Sequence, residues 1–295
     1  MKTIHRWTAM GMLVMLAHFA GKSWPLLAIL GLAAYGYLQL MPARMDGLLK
    51  SKVVCSVELA AIVLLTAQLL PCTAVYWQGK GSEIVVPVCI LLMAAWGNGG
   101  KPERTVGVIG NALAVVLIPV WIALAKNVRL EEWVPDEYRI PVWACAALLL
   151  PVAVRMGIEE ETDLHWYPKT IAAAVLLWAM IGAVMGNTVE NPAWELGRRL
   201  MLGQYSRFEM LIAVVMTFGW YALISLLIRC FSGIWREIGG SDKTGRWICT
   251  FSVLTIVLLG GKIPQVITSC AIWIAWVWIP IFGLKKTSKK SEKSA

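Results

Sequence analysis

The sequence predicts an all-α, polytopic membrane helix bundle of about ten transmembrane helices, and three observations carry that expectation. Charged residues are 15% of the chain and AVILMFWYC residues 58%, whereas an average soluble domain is about 25% charged. The apolar residues fall into ten blocks, parted by short loops that hold most of the charge. Basic residues are distributed unevenly between alternate loops. With residue 1 in the cytoplasm, 18 of the 27 basic residues lie on that side, Arg155 among them, and 9 on the other. This bias marks cytoplasmic loops, so both termini are expected inside. The chain then divides into one integral membrane domain, residues 1–284, and a basic cytoplasmic tail, residues 285–295.

Block one covers residues 8–20, only 13 residues, after Lys2 and Arg6. It reads either as a short first crossing or as the apolar region of a signal peptide, and both readings stay open on the residues alone. Block two is 23–42 and block three is 53–74. A bilayer core of about 30 Å needs about 20 apolar residues at 1.5 Å rise each, which blocks five (105–125), eight (208–229) and ten (264–284) supply. Blocks four (83–97), six (140–155) and nine (246–260) are shorter. Each must borrow polar flanking residues or be a broken or re-entrant helix, which is tolerated where protein or a cavity satisfies the backbone. Block seven, 170–187, contains Gly182 and Gly186 at a spacing that lets two helix backbones approach. Trp7, Trp24, Trp77, Trp133, Trp166, Trp194 and Trp247 stand near block ends, where interfacial anchors are expected.

Several function classes are disfavoured. The net charge of +9 resides mostly in the cytoplasmic flanks and the tail, which suits anionic lipid headgroups and gives no reason to expect nucleic acid. Seven cysteines are scattered singly without a CxxC pair, and His5, His18 and His165 lie at no metal-ligand spacing. No metal and no cofactor are expected. The loop Gly97-Asn98-Gly99-Gly100-Lys101-Pro102 has Pro102 where a phosphate loop needs Ser or Thr. There is no Gly-x-Ser-x-Gly elbow, so an enzyme is not expected.

Ionisable residues inside apolar blocks are costly and mark candidates for function. Glu58 lies about one turn into block three, with Gln68 towards its far end. Glu58 reads as a site carboxylate or proton carrier, or else as a group near enough to the block end to be solvated or paired with Lys52. Pro151 inside block six removes a backbone hydrogen bond and either bends or breaks that helix. The string from Leu196 to Glu209 opens block eight. There Ser206 can cap the helix while Glu209, three residues on, completes a capping box.

That string, from Asn191-Pro192 through Arg207 and Glu209, resembles the segment that leads into the eighth crossing of the endospore germination permeases, the B subunits of nutrient germinant receptors. Trp96 to Gly100 followed by Arg104, a long apolar stretch and Trp133-Val134-Pro135 resembles that family's arrangement around its fifth crossing. Leu69-Leu70-Pro71-Cys72-Thr73 resembles its turn after the third, with Ala74 in place of a second proline.

The resemblance implies the fold of the amino acid, polyamine and organocation transporter superfamily, ten helices in a five-plus-five inverted repeat. It implies a protein of the spore inner membrane that senses a small nutrient such as an amino acid, together with an A-type membrane subunit and a C-type lipoprotein. A ligand pocket is implied on crossings one, three, six and eight, with Gly11, Glu58, Gln68, Trp220 and Tyr221 as candidates. Gly100, Arg104, Pro71, Thr73, Arg207 and Glu209 are the motif positions. Alternatives are a secondary carrier for amino acids or cations and a non-transporting membrane assembly scaffold.

Overall fold

The computed structural model describes residues 3–20, 23–41, 51–77, 81–97, 142–158, 164–185, 208–259 and 264–282, with isolated positions at 108, 122, 124–129, 195–196 and 198. Among them every regular element is helical, and there is no strand. In chain order the elements are α1 (Thr3–His18), α2 (Trp24–Leu40), α3 (Lys52–Leu69), α4 (Ser82–Gly97), α5 (Val142–Gly157), α6 (Tyr167–Met185), α7 (Phe208–Glu237), α8 (Asp242–Leu258) and α9 (Gln265–Trp273). Among the described residues, four stretches are long and apolar enough to cross a bilayer: Lys52–Tyr76, Tyr167–Met185, Glu209–Glu237 and Gln265–Phe282. Most of block five lies outside the described residues, as do Gly100, Arg104, Trp133, Gly186, Trp194, Ser206, Arg207 and the tail.

The short blocks become helices by recruiting polar neighbours. α1 begins at Thr3 and reaches 16 residues by taking in His5 and Arg6. α8 starts at Asp242, four residues ahead of its apolar block, so Lys243 and Arg246 join its first turns. α5 runs unbroken through Pro151, so the reading in which the proline breaks block six does not hold. Pro71 follows the last α-helical residue of α3, Leu69, by two positions. It stands at the start of a 3-10 extension, Leu70–Tyr76, that prolongs α3, where a missing N–H costs little, and Thr73 Oγ1 donates to Leu70 O at 2.7 Å.

α7 outgrows its block by eight residues and reaches 30, about 45 Å at 1.5 Å per residue. It stops at Gly239, whose φ of 98° suits glycine at a helix C-terminus. Gly239 N donates to Arg236 O at 2.9 Å and Gly240 N to Trp235 O at 3.2 Å. Ser241 then caps α8 by accepting from Thr244 N at 3.1 Å. The result is a tight α7–α8 hairpin.

α7 packs against α1, α3 and α5 at the centre, and α1 packs against α5. In α5 every residue from Ala146 to Gly157 is buried, so this helix has no lipid face over that stretch. α1 is held on two sides as well. Trp7 Nε1 donates to Ala222 O, and Trp178 Nε1 donates to Leu16 O at 2.7 Å. Trp7 and Trp166 are therefore core residues, 1% and 6% exposed, and not the interfacial anchors expected of them. The backbones of α5 and α7 come close at Gly157 and Gly233, where a Cβ on either glycine would run into the other helix's backbone.

Two sets of contacts fix the helix directions. Glu58 lies near Cys230 while Trp77 Nε1 donates to Thr217 Oγ1 at 2.8 Å, so α3 runs antiparallel to α7. Gly11 sits between Leu150 and Leu223 while Gly157 meets Cys230, so α5 runs parallel to α7. The chain thus leaves α3 and enters α5 at the same end of the bundle.

Candidate functional site

The direction of the helices gathers buried polar side chains into two layers at opposite ends of the bundle. One is built around Glu58. It stands six residues beyond the first residue of α3, about 9 Å along the axis, yet it is 0% exposed. Lys52 is exposed and makes no ion pair with it among the described residues. Both the solvated and the Lys52-paired readings of Glu58 are therefore corrected, because α7, α8 and α9 pack along α3 and close over it.

Among the described residues, one hydrogen bond reaches this carboxyl, and it comes from the segment that follows α9. Trp276 Nε1 donates to Glu58 Oε2 at 3.2 Å, and Oε1 has no partner among the described residues. Trp276 lies in a π-helical stretch, Ile274–Trp278, that continues α9. A π-turn displaces the ordinary helix hydrogen bonds and is frequent at functional sites. Tyr37 of α2 reaches the carbonyls of this stretch, donating to Trp276 O at 2.8 Å and Val277 O at 3.1 Å.

Arg155 belongs to this same end. It was expected among the charges of a cytoplasmic loop, but it is 6% exposed. Its Nη1 donates to Leu38 O at 2.7 Å and Met41 O at 3.5 Å. The guanidinium thus satisfies carbonyls that the C-terminus of α2 leaves without helical partners, and it ties α5 to α2.

The second layer lies at the other end. His18, the last residue of α1, has Nδ1 2.5 Å from Tyr76 Oη. Its ring meets Trp220 edge-on at 5.3 Å between centroids and Phe19 at 4.7 Å. His18, Tyr76 and Trp220 are all buried. The imidazole itself fills the space that the aromatic rings enclose.

The residues picked from sequence do not form one pocket. Trp220 belongs to the His18 layer. Glu58 belongs to the other, near Cys230, which is about 15 Å farther along α7 than Trp220 at ten residues' rise. Gln68 is half-buried and ten residues from Glu58 on α3, again about 15 Å. Gly11 is a packing position: a Cβ there would stand 3.0 Å from Leu223 Cδ1 and 3.3 Å from Leu150 Cδ2. The half-buried Tyr221 sets its hydroxyl against Gly97. Glu209 is in the first turn of α7.

Sequence reasoning missed Tyr37, Trp276, His18, Tyr76 and Arg155. Trp276 is one of three tryptophans in the last apolar block, a signal that something other than lipid anchoring was at work there. None of the seven cysteines is in a disulfide, and no group of three or more His, Cys, Asp or Glu side chains that could hold a metal occurs among the described residues.

Fold and site together define a class: a membrane protein of packed apolar helices, with a sealed carboxyl near one end of its core and a sealed histidine near the other. No protein-family model matches the chain, and no curated protein matches it.

Proposed function

We propose that this protein is the integral-membrane subunit of a spore nutrient-germinant receptor. In this reading it works with an A-type membrane subunit and a C-type lipoprotein in the inner membrane of a spore former, both termini in the cytoplasm. The observation that carries the reading is the sequence run from Asn191-Pro192 through Arg207 to Glu209, whose last residue lies in the first turn of α7, the longest helix among the described residues. Two features add support. α1, α3, α5 and α7 correspond to the first, third, sixth and eighth apolar blocks, and the first three of these helices all pack on α7. The shared end at which α3 finishes and α5 starts also suits two passages between them, α4 and block five.

Deleting the gene in a spore former that carries it, then scoring germination on a panel of nutrients, tests the assignment. Loss of the response to one nutrient class is expected, with recovery on complementation. Normal germination on every nutrient would remove the reading.

Within that assignment, the unbroken course of α1 and α5 favours a subunit that acts through its partners over one that carries a solute. α1 and α5 are continuous helices, so their backbone groups are engaged in the helix and are not displayed to a ligand. A ligand that binds only the folded form must raise its stability. The partner-acting reading expects no thermal shift with amino acids and intact co-purification with the A-type and C-type subunits. A shift would favour a subunit that itself binds the nutrient, and gradient-driven uptake into proteoliposomes would favour the carrier alternative.

A further inference from the structure

We propose that Glu58 is a reversible proton-binding site built into the core, and that the Trp276 segment is the element that responds to its occupancy. The proposal stands on the geometry of α2, α3, α7 and α9 and is independent of the receptor assignment.

A carboxylate offers about four lone-pair sites on two oxygens, and an ionised one buried without donors is far more costly than the neutral acid. Here one indole N–H serves Oε2, and among the described residues nothing serves Oε1. The arrangement suits the acid: the proton resides on Oε1 while Oε2 keeps the Trp276 bond. Loss of the proton leaves a charge that needs further donors, and the described side chains do not supply them.

A proton fits this site better than a metal ion. Calcium takes six to eight oxygen ligands and magnesium a full octahedron. At Glu58 an N–H donor already faces one oxygen, and no cluster of other candidate ligands exists among the described residues. Among the described residues, titratable groups near the carboxyl are Cys55 on its own helix, Cys230 of α7 with Arg229 beside it, and Tyr37 of α2. Glu237 lies near Cys55. α8, packed along α3, carries Arg246 and Cys249. None of these forms an ion pair with Glu58 among the described residues.

The response has a defined route. Trp276 joins the carboxyl by its ring and joins Tyr37 by its backbone carbonyl, within the π-helical stretch Ile274–Trp278. The indole bond to a carboxylate is stronger than the bond to an acid. Proton loss therefore changes the hold of α3 on this stretch, and through Tyr37 the hold of α2. Only such a differential interaction can shift a conformational population.

N,N'-dicyclohexylcarbodiimide, an apolar reagent that condenses with protonated carboxyl groups in lipid, tests this on the full chain in lipid nanodiscs. Mass spectrometry should find the adduct on Glu58, absent from Glu58→Gln. Its initial rate of formation should fall about tenfold per pH unit above a midpoint. Trp276→Phe should keep the adduct but move the midpoint. No adduct on Glu58 at any pH at which the protein stays folded would overturn the proposal, as would a rate indifferent to pH after correction by a model carboxylic acid in the same nanodiscs. An unchanged midpoint in folded Trp276→Phe would overturn the coupling to α9.

Discussion

The two buried polar layers of this bundle differ in the kind of group that each leaves unmet. At the His18 end, His18 Nδ1 and the Tyr76 hydroxyl are hydrogen-bonded and aromatic edges cover the ring, while Trp220 Nε1, an uncharged donor, has no hydrogen-bond partner among the described residues. At the Glu58 end, a carboxyl with two oxygens receives one hydrogen bond among the described residues. Native interiors seldom leave a buried polar oxygen unmet. The contrast teaches that the two ends are under different demands. The His18 layer holds α1 to the end of α3 and to α7, whereas the Glu58 layer leaves an oxygen unmet in a place where stability alone would favour an aliphatic side chain.

Substitutions can break or sharpen that contrast. The largest effect is expected where neither layer is involved and two backbones touch. Gly233→Leu must force α7 away from Gly157, and overpacking of this kind costs about 3 kcal/mol or more. The yield of monodisperse protein after detergent extraction should collapse. Next, Tyr76→Phe removes the partner of His18 Nδ1 and should cost about 2 kcal/mol, the range for stranding a buried polar group. Thermal unfolding in detergent would register it, and an unchanged midpoint would dissolve the claim that this layer is structural.

Arg155→Met tests whether the Glu58 end has structural polar contacts of its own. Its hydrogen bonds to Leu38 O and Met41 O predict a loss of about 2 kcal/mol, as for bonds to a charged donor. Faster hydrogen exchange should be confined to the last turn of α2. Ser241→Ala, which removes the cap of α8, should cost about 1 kcal/mol by the same thermal measurement. Smallest of all is Glu58→Leu. It strands the Trp276 N–H, which costs about 1 kcal/mol, but eliminates the unmet carboxyl oxygen, whose desolvation penalty is about as large. The two nearly cancel, and a change within about 0.5 kcal/mol is expected. A loss as large as that of Tyr76→Phe would erase the difference between the two ends.

Much of the fold was legible in the sequence, for a reason that applies to lipid generally. With no water in the bilayer core, backbone groups must be satisfied within the segment, and a long apolar run has helix as its main solution. Blocks two, three, four, seven and ten accordingly became helices close to their predicted positions. Boundaries failed where apolar character is not what ends a helix: α7 continues through Ser232 and Gly233 to Glu237 and stops only at Gly239. Glu58 was legible because a carboxyl in an apolar run is conspicuous. Its partner was not, since Trp276 lies 218 residues away among apolar neighbours that lipid contact would equally explain.

Arg155 shows the same boundary from the other side. Its charge near the end of block six suggested a loop, because sequence alone reports that a block has ended and not which helix end lies alongside. His18 was visible as a lone histidine without metal-ligand spacing, and nothing in its neighbourhood announced Tyr76 or Trp220.

What this sequence determined by itself is the solvent, the secondary structure and the rarity of ionisable groups within the apolar blocks, since each follows from local composition acting against lipid. Only the tertiary structure decided which of those groups are sealed, which are paired and which helix reads which. The physical reason is that hydrogen bonds and burial in a bundle are made between helices, and their pairing depends on packing at residues such as Gly157 and Gly233 that carry no chemistry of their own.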